Sequence, residues 1–151
     1  MICGIRSARL KQKFRREWES RFGLGLEIRE LEELRQRKRR QSLLLIETSD
    51  LTKEIEEALN RKDEVSFQML MGMREAPIRG MRELEEGIEE YLLSLSESSA
   101  IRGKALLRGD EAAEDAERPL YEEVAKFRRL LSTLIERDRQ ISIRLGGDKS
   151  F

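Results

Sequence analysis

The stretch Leu120 to Leu145, LYEEVAKFRRLLSTLIERDRQISIRL, decides the fold class. Leu120, Val124, Phe127, Leu131, Leu134, Asp138, Ile141 and Leu145 succeed one another in steps of 4-3-4-3-4-3-4, with Asp138 the one polar member. Side chains three and four apart share a face of an α-helix, so this spacing predicts one apolar stripe along one long helix. Pro119 stands just ahead, where the first turn tolerates proline, and Gly146-Gly147 ends the pattern. At about 1.5 Å rise per residue such a helix is roughly 40 Å long.

The same periodicity extends backwards. Leu70, Met73, Met81, Leu84, Ile88, Tyr91 and Leu95 predict a second helix over about Glu64 to Ser94. Pro77 lies inside it and removes a backbone donor, while Gly72, Gly80 and Gly87 lower its intrinsic stability. Ile28, Leu31, Leu34, Leu45, Leu51, Ile55 and Leu59 predict a first helix up to Asn60, interrupted by five basic residues between Arg35 and Arg40. Asn60-Arg61-Lys62-Asp63 reads as a tight turn, with Asn60 in the left-handed conformation and Asp63 as the N-cap of the second helix. A short helix is expected at Ala100 to Leu107, capped by Ser98 or Ser99, and Gly109 to Arg118 reads as a connector. No segment alternates as a half-buried strand would. Long helices with one apolar stripe must bury it on each other, and a short turn makes its two helices antiparallel neighbours. The expected fold is all-α, an antiparallel three-helix bundle or coiled-coil hairpin with a long last helix.

Composition narrows the chemistry. Of 151 residues, 30 are basic, 30 are acidic and none is histidine, which excludes His-based triads and dyads and removes the commonest neutral-pH base. One cysteine, Cys3, gives no internal disulfide. No apolar run approaches the roughly 20 residues of a membrane span, and basic residues from Arg6 onward interrupt any secretory segment, so a cytoplasmic location is expected. The carboxylates alternate with Arg and Lys and read as solvated helix surface. No catalytic residue, cofactor or metal site is expected, and an enzyme is not the reading.

Residues 1–25 form a separate basic N-terminal extension ahead of a helical domain over 26–151. The extension holds seven basic and two acidic side chains, with Leu10, Phe14, Trp18 and Phe22 at four-residue steps. As a helix it has an apolar stripe and a basic reverse side, which admits an inert appendage, a protein contact, or binding to nucleic acid or an anionic membrane surface. Met69, Met71, Met73 and Met81 cluster near Pro77. Adaptable methionines suit either the hairpin core or a groove for a helical partner.

Glu54 to Asp63, with Ala58-Leu59 ahead of Asp63, resembles the "long helix, AL-x-x-x-D, long helix" turn of FlgN-type flagellar export chaperones. Arg74-Glu75 followed by Ile78, Met81 and Leu84, and the closing helix Leu120 to Leu145, are similar to the continuation of that family over residues 28–145. Pro77 and Glu136-Arg137-Asp138 depart from its pattern. The resemblance implies a cytoplasmic chaperone of flagellar type III secretion that holds amphipathic helices of hook-associated subunits. The expected partner contact is the stripe Phe127, Leu131, Leu134, Ile141 and Leu145. Two alternatives stay open: a self-associating coiled-coil protein, a homodimer through this seam, and a nucleic-acid-binding accessory protein using the basic arm.

Overall fold

A computed structural model describes residues 25–147. Within them the chain is all-α, with α1 (Ile28–Asn60), α2 (Glu64–Ser94), α3 (Glu97–Arg108), a single 3-10 turn (Asp115–Glu117) and α4 (Arg118–Gly146). The extension 1–24, with Cys3 and the aromatic stripe, lies outside the described residues, as does the tail after Gly147.

The core register of α1 is more regular than its apolar residues indicate. Its buried positions Leu31, Leu34, Lys38, Gln41, Leu45, Thr48, Thr52, Ile55 and Leu59 alternate steps of three and four without a break. Lysine, glutamine and threonine occupy the middle of the seam, so the seam continues where hydrophobicity stops. In α2 the buried residues are Phe67, Leu70, Pro77, Ile88 and Leu92. Met73, expected in the seam, is 52% exposed. Arg74, one position on, points inward instead and meets Thr52 of α1. The helix continues through Pro77, which has no N–H to give the carbonyl four residues back.

Two apolar clusters hold the helices together. One joins Leu31 and Leu34 of α1, Ile88 and Leu92 of α2, Leu106 of α3, and Leu120 and Val124 of α4. The other, at the opposite end of α1, joins Ile55, Ala58 and Leu59 to Phe67, Leu70 and Ile141. Each fully buried Leu or Ile contributes about 1.5–3 kcal/mol relative to exposure. The helices approach closely where side chains vanish: a Cβ at Gly103 would lie 2.8 Å from Leu92, and one at Gly80 2.8 Å from Leu44.

The junctions are specific. Between α1 and α2 the left-handed residue is Lys62 (φ 56°), not Asn60, because helical geometry persists through Arg61. The Asp63 N–H then donates to Ala58 C=O at 2.9 Å and the Lys62 N–H to Leu59 C=O at 3.1 Å, closing the helix end. Asp63 caps α2 as expected, accepting from the Ser66 N–H at 3.0 Å. At α3 the cap is Ser96, which accepts from the Ser99 N–H, rather than Ser98 or Ser99. Ser99 is buried and donates to Gly25 C=O at 3.0 Å, pinning the root of α1.

The segment 109–118 is more than a connector. Glu117 is buried and receives Arg102 through two bonds of 2.7 Å each, and the Ala113 N–H at 2.8 Å. One carboxylate therefore locks α3, the loop and the start of α4 together.

Candidate functional site

Between the two apolar clusters runs a polar belt. Arg74 of α2 donates to Asp138 of α4, and to Thr52 Oγ1 of α1 at 3.1 Å, so three helices meet at one guanidinium. Toward the other end, Gln41 Nε2 donates to Glu85 at 2.7 Å and to Met81 C=O at 3.2 Å. Buried Lys38 places Nζ 3.7 Å from the centroid of the Phe127 ring. The hydroxyls of Ser42, Thr48 and Thr52 donate to carbonyls four residues back within α1, and Thr52 Oγ1 in addition accepts from Arg74.

Two buried charges, Lys38 in this belt and Glu117 at the α3–α4 junction, are shifted from their ordinary acidity. Desolvation holds the Lys38 ammonium below its usual range, opposed by the Glu85 carboxylate and aided by Arg128. Burial by itself would raise the Glu117 carboxyl. The Arg102 and Ala113 hydrogen bonds, the Arg102 charge and the Glu114 backbone outweigh it and hold the group below its ordinary value. Neither arrangement offers an acid or base poised beside an open cavity. Among the described residues no cluster of Cys, Asp or Glu is placed to hold a metal ion. No described helix is long and apolar enough to cross a membrane.

The stripe expected to bind a partner faces mostly inward. Leu134 and Ile141 are buried, Phe127 lies half-buried under Lys38, Leu131 is half-buried, and Leu145 is exposed. Strict seam counting selects the residues that fasten α4 onto α1. It passes over Ile135 and Ile143, which lie outside the register and are 59% and 58% exposed. The signal available for them is their β-branched bulk on the polar side of a heavily charged helix.

Where the ends of α1 and α4 meet, an open cleft of about 440 Å³ is walled by Leu59, Ile141 and Ile143. Its rim is charged. Arg137 pairs with Glu56 at 3.6 Å, and Arg144 donates to Asn60 Oδ1 and to Leu59 C=O. The wall is apolar and the rim carries both signs of charge, Glu56 and Glu136 beside Arg137 and Arg144.

A second cleft, of about 550 Å³, lies at the other end of the molecule between the start of α1 and the end of α2. Tyr91 and Leu95 form its apolar part, and Glu27, Glu30 and Glu33 supply carboxylates. Arg37 of α1 contacts two of its neighbours, donating to Glu33 at 2.8 Å and to Gly87 C=O at 3.1 Å, with its guanidinium 5.0 Å from the Tyr91 ring centroid. Burial raises the Tyr91 phenol, reinforced by the Glu30 and Glu33 charges.

No family model, curated protein or solved structure matches the chain.

Proposed function

We propose that the chain is a cytoplasmic helix-binding chaperone of the FlgN type, an antiparallel three-helix bundle that holds an amphipathic helix of a hook-associated flagellar subunit. The observation that carries this reading is the cleft walled by Leu59, Ile141 and Ile143 at the free end of α4, with exposed Leu145 beyond it. Of the expected stripe, Ile141 lines this cleft and Leu145 is exposed one turn further along α4, whereas Leu134 is buried and Phe127 lies under Lys38 of α1, away from the cleft. Such a holder needs no catalytic group; it needs an apolar surface that stays soluble when empty, and the charged rim supplies that solubility.

The test is binding of hook-junction and filament-cap subunits to the purified full chain, with Ile143→Asp and Leu145→Asp as variants. Both positions are exposed, so circular dichroism should show an unchanged helix content. Tight binding by the native chain and its loss in the variants supports the reading. If no such subunit binds, or binding survives both changes, the reading fails. A stable dimer that the same two changes dissociate would assign the surface to a second copy of the chain.

A further inference from the structure

Two neighbouring polar groups inside the bundle each lack a partner of the opposite kind. Gln41 is 2% exposed, and its Oε1 is buried with no hydrogen-bond donor among the described residues. Turning the amide does not relieve this. Its Nε2 donates to Glu85 at 2.7 Å and to Met81 C=O at 3.2 Å, and a flipped amide would set an oxygen against both acceptors. One turn earlier on the same face of α1, Lys38 is 7% exposed and lays its ammonium on the Phe127 ring, 3.7 Å from the centroid. Among the described residues no oxygen accepts a hydrogen bond from that ammonium or pairs with it. A buried acceptor without a donor is costly, and so is a buried cation without an acceptor.

Lys38 and Gln41 are consecutive members of the α1 seam that reach to different helices. Gln41 bonds to α2 and Lys38 covers a ring of α4, so the space between their tips is a fork between those two helices. The Glu85 carboxylate belongs to the same fork. Burial disfavours the Lys38 ammonium, while the charge of Glu85 favours it and that of Arg128 opposes it. Gln41 Oε1 and Nε2 share one carbon at bond lengths of about 1.2 and 1.3 Å. Oε1 is therefore no more than about 5 Å from the Glu85 oxygen that Nε2 holds. Two O–H···O bonds of ordinary length, about 2.7 Å each, span that gap.

We propose that a single water molecule is held in this fork, accepting from Lys38 Nζ and donating one hydrogen to Gln41 Oε1 and the other to Glu85. The groups select water, because the site asks one atom both to accept and to donate. A halide only accepts, and a metal cation would face the lysine charge. Lys38, Gln41 and Glu85 together supply the three bonds that a buried water typically makes. The molecule joins α2 to α4 at this level, as the Arg74 guanidinium joins them directly beside Thr52. Lysine is a compact point charge and arginine a wide fork, so one level needs a bridging atom and the other does not.

The test is oxygen-17 relaxation dispersion of water, which counts molecules held by a protein for longer than nanoseconds. It compares the full chain with a variant carrying Lys38→Met and Gln41→Met, in which the site is apolar and stays dry. The expected result is the loss of one long-lived water at unchanged helix content. An equal count in the two proteins overturns the proposal, and so does the loss of several, which assigns a solvent-filled channel. The native chain gives a second reading that does not depend on the variant folding. Nitrogen-15 spectra of the Lys38 ammonium should show hydrogens that exchange slowly with solvent and no scalar coupling across a hydrogen bond to a carboxylate. A coupling to Glu85 overturns the proposal in favour of a direct ion pair, and exchange as fast as in free lysine overturns it in favour of an open cleft. None of these measurements reads the cleft of Leu59, Ile141 and Ile143, so the outcome is independent of the chaperone reading.

Discussion

Arg74 on α2 donates to Asp138 on α4, and each is the charged residue that breaks the apolar register of its own helix. Thr52, a polar member of the α1 seam, accepts from the same guanidinium. Three interruptions that look like separate defects along the chain fall at one level of the bundle and answer one another. A slide of α4 by one turn would separate the pair and leave Arg74, 14% exposed, facing apolar side chains. The contact therefore selects one register over its neighbours more than it adds net stability.

Asp138→Ala should accordingly cost about 1–3 kcal/mol, because it leaves Arg74 without its carboxylate, with the lower part of that range set by the exposure of Asp138. Arg74→Leu combined with Asp138→Leu should recover most of the loss, since no unpaired charge remains. Urea unfolding of the singles and the double gives the coupling energy. If Asp138→Ala is silent and the double variant merely sums the singles, the pair has no role in fixing the register.

The sequence makes α2 and α4 plain because their seams are mostly apolar, and the start of α2 plain because Asp63 has few competing roles. It obscures α1, where Lys38, Gln41, Thr48 and Thr52 occupy seam positions and periodicity of position no longer coincides with periodicity of hydrophobicity. Serine and threonine return their hydroxyls to the helix backbone, so nothing local marks them as buried. Met73 misleads for the converse reason: an apolar side chain one step from the seam looks like a seam residue until Arg74 is known to have a partner. At the candidate site the stripe of α4 is legible, but whether a stripe is core or surface depends on what packs against it. That depends on long-range pairing, which the spacing does not encode. Glu117 is hidden for the same reason, since its partner Arg102 lies 15 residues away across a loop.

Lys38 offers a test through pH. Its ammonium is held below the ordinary lysine range by burial, so between its folded pKa and the unfolded value near 10.4 the unfolded chain binds more protons. Stability contributed by this site therefore rises with pH across that window. Lys38→Met removes the desolvated charge and should stabilise the bundle by about 1 kcal/mol at neutral pH, after losing a cation–π contact with Phe127 of about 0.5–1 kcal/mol. Unfolding midpoints of both proteins from neutral to alkaline pH should converge as the pH rises. Curves that run parallel throughout would show that Lys38 keeps an ordinary titration in the fold.

Glu117 predicts a dependence of the same sign at the acid end, where stability again rises with pH. Its carboxyl is held below the ordinary range, so between the folded value and the unfolded value near 4.3 the native state binds fewer protons than the unfolded chain. The stabilisation is complete above that window and is lost as the pH falls through the folded value. Glu117→Gln keeps the shape but leaves Arg102 facing a neutral amide, and should cost about 2–3 kcal/mol at pH 7. The cost should shrink as the pH falls through the acid window, where the native carboxylate is itself protonated. Because Glu117 ties Arg102 of α3 to the loop amide of Ala113, amide hydrogen exchange should quicken first in α3 and the opening turn of α4. Exchange at the far cluster of Ile55, Phe67 and Ile141 should change only through global stability. A uniform acceleration across all four helices, with a pH-independent difference between the proteins, would mean that the pair is surface decoration and that the α3–α4 junction is held by Leu106 and Leu120 alone.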